Sequence, residues 1–333
     1  MSDTEQKSRI GLDIGTSRIV LARRVQNKFE FQAHLNAFVI IPFSRLTQRV
    51  LKKESIPHTV QGQEIIVFGN ESEKFADFFH LETRRPMLNG TLNPSEPDNL
   101  ALVRQIIANL AGPGDRQGHK LCFSIPATPL GSDDGLKYHE AAIRQILGDL
   151  GYDLRSITEG LAVVYAELES TNYTGIGISC GGGMCNVCLA YLSVPVIAFS
   201  ILKAGDFVDS SAASVTGEVT TRVRTLKEQS FSFNGKPQGK IHQALAVYYD
   251  DLIESLIRAM REAFSTARNL PKLDRPVPLV LSGGSALPQG FRDRFERALQ
   301  ESDFPLAVSE VTLAPDPLYS TAKGALMAAL ADM

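Results

Sequence analysis

Two stretches constrain the fold more than any other part of the chain. RIGLDIGTSRIVLAR at residues 9–23 and GIGISCGGGMCNVCL at 175–189 each read as an apolar strand, a glycine-rich turn and a second apolar strand. The segments downstream of the two stretches correspond as well. After the first come short apolar runs mixed with polar residues over 30–80, with no long helical period, which read as a small irregular insertion; then a helical face from Leu100 to Leu110, and the buried strand LCFSIP. A further amphipathic helix spans Leu136 to Leu150, with Ser132, Asp133 and Asp134 ahead of it and Gly151 beyond. After the second come a polar segment over 206–242, a long helix predicted over about 243–268, and VPLVLSGGSALPQGF, a strand running into a glycine turn and a helix. STAKGALMAALADM closes the chain as a short helix of small residues. Two related halves are the simplest reading.

The glycines and cysteines of the second stretch point to different chemistries. Cys180, Cys185 and Cys188 have the C-x4-C-x2-C spacing of a plant-type iron–sulfur site, but the remaining Cys122 lies upstream in a strand. Cys188 sits in the apolar run VCLAYL, where a small buried hydrophobe is expected, and the histidines show no paired ligand spacing. A dinucleotide fingerprint fails too, because Gly175, Gly177 and Gly181 are one residue too widely spaced and a strand follows where a helix should open. Neither a P-loop nor a G-x-S-x-G elbow occurs. Glycine without a side chain lets backbone N–H groups approach anionic oxygens. Gly181, Gly182 and Gly183 offer that in one half, and Gly15, Thr16 and Ser17 in the other. Facing each other across a cleft, the two turns would form a phosphate clamp.

The totals fit a large globular chain: 333 residues, 44% hydrophobic, with a formal net charge of -3 from 34 basic and 37 acidic residues. So balanced a charge makes sequence-independent nucleic-acid binding unexpected. No apolar run approaches a membrane span, and MSDTEQKSR shows neither a signal peptide nor an amphipathic anchor, so a cytoplasmic protein without direct membrane insertion is expected.

Together these residues resemble the actin, heat-shock ATPase and sugar-kinase superfamily, and within it the bacterial actins of the MreB type. GLDIGTSRIVLA resembles the first phosphate loop, GIGISCGGGMCNV the second and VPLVLSGGSALPQGF the adenosine loop. ITEGLAVVYA and STAKGALMAAL are similar to the two connecting helices, and RRPMLNGTLNPSEPDNLALVRQII and LCFSIPATP favour the bacterial actins over the kinases. The resemblance implies an α/β, two-lobed actin-like ATPase fold, each lobe a duplicated ribonuclease-H-like mixed sheet flanked by helices, with small inserted subdomains. It divides the chain into a first lobe over 1–155 with an insertion at about 30–95, a second over 156–309 with a short insertion at about 206–242, and a C-terminal helix over 310–333 returning to the first lobe.

The implied ligands are ATP and Mg2+ between the lobes. By position, Asp13 would hold the magnesium through water, consistent with the preference of hard cations for carboxylate oxygen. Gly15, Thr16 and Ser17, with Ser179, Gly181, Gly182 and Gly183, would bind phosphate, and Gly205, Gly283, Gly284 and Ser285 would line the nucleotide. Glu159 falls where the family places the residue that orients the attacking water, although Thr158-Glu159 also reads as a helix cap with an acid in the first turn. Ser179 stands where the family keeps an aspartate, and a hydroxyl does not replace that charge. Lys227 and Glu228 are candidate base contacts or part of a solvated face. The expected function is self-association into filaments with slow ATP hydrolysis. The alternatives are an FtsA-like nucleotide-binding adaptor with little hydrolysis and a small-molecule kinase; any adaptor or cargo is left open.

Overall fold

A computed structural model describes residues 9–96, 98–114, 119–131, 136–267, 270, 271, 273 and 275–331. The expected cap Ser132, Asp133 and Asp134, and the N-terminal residues before Arg9, lie outside these. β1 (Arg9–Ile14), β2 (Arg18–Val25) and β3 (Lys28–Leu35) form an antiparallel meander. Phe38–Pro42 (β4), Arg45–Lys53 (α1), His58–Gln61 (β5), Glu64–Phe68 (β6) and Glu71–Phe79 (α2) make a small separate unit. The ribbon β7 (Met87–Leu88) and β8 (Thr91–Leu92) and helix α3 (Asn99–Ala111) lead back to the main sheet. There β9 (Lys120–Ile125), α4 (Leu136–Asp149) and β10 (Asp153–Thr158) complete the order β10-β9-β1-β2-β3, with β9 and β10 parallel to β1.

The second half repeats this topology. After α5 (Glu159–Glu167), the meander β11 (Gly175–Cys180), β12 (Cys185–Tyr191) and β13 (Val194–Ile201) is followed by α6 (Gly205–Thr216), α7 (Thr220–Ser230) and α8 (Lys240–Thr266). Then β14 (Val277–Ser282), α9 (Phe291–Gln300), β15 (Val308–Leu313) and α10 (Ser320–Leu330) end the described chain. Its sheet runs β13-β12-β11-β14-β15: again a three-stranded meander extended by two parallel strands. Each lobe has its own core. Leu102, Val103, Ile106 and Ile107 of α3 and Ile143 and Leu147 of α4 cover the first sheet, and Leu252, Leu256 and Met260 of α8 and Phe291 and Phe295 of α9 cover the second. Among the described residues no helix is long and apolar enough to cross a membrane.

Two segments expected as small insertions, the first of them irregular, hold regular elements. KFEFQAHL is the third strand of the main sheet, so the extra unit begins after Leu35. The runs AFVII and EIIVF lack polar alternation because their strands are buried on both faces. Val39, Ile41, Ile65 and Val67 meet Leu51 of α1 and Ala76 of α2, while Phe38, Ile66 and Phe68 join the main core. Residues 206–242 hold α6 and α7, where Val208, Ala212 and Val223 pack with Leu245 and Tyr249 of α8.

The lobes meet where α5 and α10 cross. An added Cβ on Gly324 would lie 1.7 Å from the Ala162 carbonyl oxygen, so the two helices touch backbone to backbone. Gly11 in β1 gives α10 the same close approach, with Ala322 O 2.2 Å from an added Cβ, and Gly177 in β11 does so for α5, with Gly160 O at 2.4 Å. At the end of α5, Glu167 accepts from Ser320 Oγ at 2.9 Å and pairs with Lys323 Nζ at 3.2 Å.

Candidate functional site

Both meanders turn at the same end of their sheets, and a cavity of about 640 Å³ lies between the turns. Its size is in the range of small-molecule sites. Every residue the resemblance assigned to the nucleotide site lines it: Asp13, Gly15, Thr16 and Ser17 from the first turn, Glu159 from α5, and Ser179, Gly181, Gly182 and Gly183 from the second turn. From the surrounding loops come Gly205, Gly283, Gly284 and Ser285, and Lys227 and Glu228 stand at the far end.

The first turn is a two-residue hairpin closed by Gly15 N donating to Arg18 O at 3.0 Å. Asn36, which the sequence did not single out, holds it from behind: its Nδ2 donates to Gly15 O at 2.9 Å and its backbone N to Ser17 O at 3.0 Å. Thr16 Oγ1 accepts from Gly90 N in the β7–β8 turn at 2.9 Å. The second turn is closed by Gly181 N donating to Met184 O at 2.9 Å. Its carbonyls are occupied, with Gly205 N (3.1 Å) and Ser285 Oγ (2.7 Å) donating to Gly181 O and Asp206 N (2.8 Å) to Gly182 O. Among the described residues, the amides of Thr16, Ser17, Gly182 and Gly183 donate to no protein acceptor. Two turns thus present free donors to one cavity. That is the chemistry of an anion cradle.

The turns also touch. An added Cβ on Gly182 would lie 2.2 Å from Ser17 Oγ, and one on Gly183 would lie 2.4 Å from Thr16 Oγ1 and 2.5 Å from Gly90 N. Gly283, at φ +92°, takes a conformation that side chains rarely adopt and packs on the Cys180 backbone, 2.2 Å from its oxygen to an added Cβ.

Two carboxylates stand at the base. Ser124 in β9 orients Asp13, donating from Oγ to Asp13 Oδ1 at 2.6 Å while accepting from Ile14 N at 3.1 Å. Burial raises the Asp13 carboxyl above its usual range, against the pull of the Ser124 hydrogen bond. Glu159 accepts from Ser179 Oγ at 2.9 Å. Burial first, and the nearby Asp13 charge second, raise Glu159, with the Ser179 bond opposing. Both groups therefore titrate higher in the folded chain than in the unfolded one, and between the two ranges the folded state carries more protons. Stability of the ligand-free protein is expected to fall as pH rises from about 5 to about 8. Glu159→Gln should flatten much of that slope in a plot of Tm against pH; an unchanged slope would show that this carboxyl is not its source.

Among the described residues no group of three or more His, Cys, Asp or Glu side chains converges to cage a metal ion. A magnesium ion here would draw on Asp13, ligand oxygens and water, the usual pattern for a nucleotide-bound Mg2+. The three clustered cysteines divide between faces of the second sheet. Cys180 and Cys185 enter the second-lobe core, while Cys188 packs with Cys122 beside α5.

At the far end, Lys227 is not part of a solvated face. Its side chain is 9% exposed and its Nζ lies 2.8 Å from Asp209 Oδ1, with Arg224 Nε 3.5 Å from Asp209 Oδ2. Glu228 is half exposed and meets Arg18 at 3.4 Å. Asp209, Arg224 and Tyr249 line this end as well. They were missed because each falls in a polar or helical run with no glycine signal, and only the fold brings them to the cavity.

The Volactin family profile matches residues 9–329. The chain belongs to the Volactin family. A comparison with curated protein sequences gave no match. Among solved structures it is similar to a MamK double helical filament, with a TM-score of 0.72 and 19% identity over 98% of this chain and 99% of that one. It is also similar to MreB5 of Spiroplasma citri bound to AMPPNP, with a TM-score of 0.68 and 14% identity over 97% and 96% of the two chains. A third is the ethanolamine utilization protein EutJ from Carboxydothermus hydrogenoformans, with a TM-score of 0.56 and 18% identity over 98% and 92%. These likenesses establish that this Volactin family member has the bacterial actin-like fold.

Proposed function

We propose that this Volactin family member binds ATP with magnesium between its lobes, assembles into filaments in the cytoplasm and hydrolyses the nucleotide slowly. The observation that carries the reading is the pair of facing glycine turns, whose residues with unpaired amides line one cavity with Asp13. In this reading the lobes divide as 1–155 and 156–309, with 310–333 returning to the first. The amides of Thr16, Ser17, Gly182 and Gly183 bind the phosphate oxygens, and Asp13, held by Ser124, takes the metal side. Bound magnesium would neutralise phosphate charge. Gly205, Gly283, Gly284 and Ser285 shape the wall for the nucleoside.

In this reading Glu159 orients a water for in-line attack. In the ligand-free chain burial and the nearby Asp13 charge hold its carboxyl above the usual carboxylate range. Support for assembly comes from the similarity to MamK, whose structure is that of a double helical filament. A heterologous head-to-tail contact does not close on itself and so propagates.

The second reading, an adaptor with little hydrolysis, is favoured by one observation. Ser179, where the resemblance to bacterial actins implies an aspartate, donates its hydroxyl to Glu159 at 2.9 Å. Sedimentation and negative-stain microscopy with ATP and magnesium, alongside phosphate release, separate the two. Filaments pelleting with ATP and slow phosphate release are expected. Binding without pelleting would favour the adaptor, and no affinity for any purine triphosphate would overturn both.

A further inference from the structure

Among the described residues two ion pairs cross the cleft, and they are unequal. Arg18 and Glu228 meet at 3.4 Å with both side chains substantially exposed, a class of contact worth little. Arg85 Nη1 lies 2.7 Å from Asp206 Oδ1, with the side chains only 15% and 24% exposed. Each partner is fastened to a different phosphate turn. Asp206 opens α6, and its backbone N donates to Gly182 O at 2.8 Å while its neighbour Gly205 holds Gly181 O. Arg85 precedes the β7–β8 ribbon; its carbonyl accepts from Asn93 Nδ2 at 3.2 Å, and the ribbon's Gly90 N donates to Thr16 Oγ1.

We propose that Arg85 and Asp206 are positioning residues whose ion pair sets the separation of the two glycine turns and thereby retains the nucleotide phosphates. The proposal rests on the nucleotide reading above. The turns meet through Gly182 against Ser17 and Gly183 against Thr16 with no room for a side chain, so a displacement of a few tenths of an ångström changes the cradle. Arg85 itself does not line the cavity, and Asp206 borders it. Both act through the turns they hold. A largely desolvated charge pair of this geometry resists opening more than a rim pair does, and its loss is expressed mainly in the rate of release.

The test is charge reversal. Arg85→Asp and Asp206→Arg, singly and together, are compared by release of a fluorescent ATP analogue in magnesium and by hydrogen exchange at residues 15–18 and 181–184 without ligand. Each single variant is expected to release the analogue about tenfold faster, with the reversed pair restoring the rate to within about threefold. Single variants at the wild-type rate, or a folded reversed pair no slower than the singles, would overturn the proposal. If the reversed pair does not fold, alanine substitutions decide: a double variant no worse than either single supports the ion pair, and additive losses refute it. If the wild-type chain binds no ATP, the nucleotide reading fails by itself. Exchange in the two turns then still judges the ion pair, with protection lost in the singles and regained on reversal in its favour, and protection unchanged against it.

Discussion

Replacing Asp13 by alanine is expected to weaken magnesium-dependent ATP binding by about 100-fold or more, near 3 kcal/mol. The carboxylate sits at the end of β1, fixed by the Ser124 hydroxyl at 2.6 Å, and no acidic cluster stands by to replace it among the described residues. Its burial predicts a second, opposite effect. A carboxyl raised by desolvation destabilises the ligand-free fold as it ionises, so Asp13→Asn should raise Tm at about pH 8 without ligand. The same variant should lose the further rise expected of the wild type with ATP and magnesium. Calorimetry and thermal melts measure the two effects on one preparation. Wild-type affinity in Asp13→Ala would remove this residue from the metal site, and an unchanged or lower ligand-free Tm in Asp13→Asn would refute the electrostatic argument.

The second large effect falls on stability. Gly324→Val places a side chain where an added Cβ already lies 1.7 Å from the Ala162 oxygen, a backbone atom that moves only if α5 moves. Overpacking of this kind is expected to cost about 3 kcal/mol. In a chain of this length that lowers Tm by about 5 °C. Gly235→Ala is the control, since nothing lies within 4 Å of its added Cβ and its φ is ordinary. Equal melting of the two variants would show that the helix crossing tolerates separation.

What could be read in the sequence was whatever the backbone writes locally. Gly15-Thr16-Ser17 and Gly181-Gly182-Gly183 interrupt alternating apolar strands, and that pattern belongs to a tight hairpin wherever it occurs. The repeated order of hairpin, inserted segment and helices was legible because each half spells it alike, whereas the third strand of each meander was not. Less legible were groups whose role depends on arrival from a distance. Asn36 caps the first turn, Ser124 orients Asp13 across 111 residues and Arg85 reaches Asp206 across 121, and no short window contains both partners. Lys227 shows the same difficulty in reverse. Thr220–Ser230 looks like a polar surface helix, yet Asp209 draws that lysine inside. The strands Phe38–Pro42 and Glu64–Phe68 were read as irregular because burial on both faces erases the period-2 signal.

The packing of α10 on β1 and β2 also governs how the molecule is made. Ala322 and Leu326 cover Val20 and Ala22, and Gly11 admits the helix against its strand. A ribosome delivers β1 well before Ser320–Leu330, so the first sheet waits with one face bare until α10 has been made. The first lobe is thus the first to be synthesised and cannot be the first to be finished.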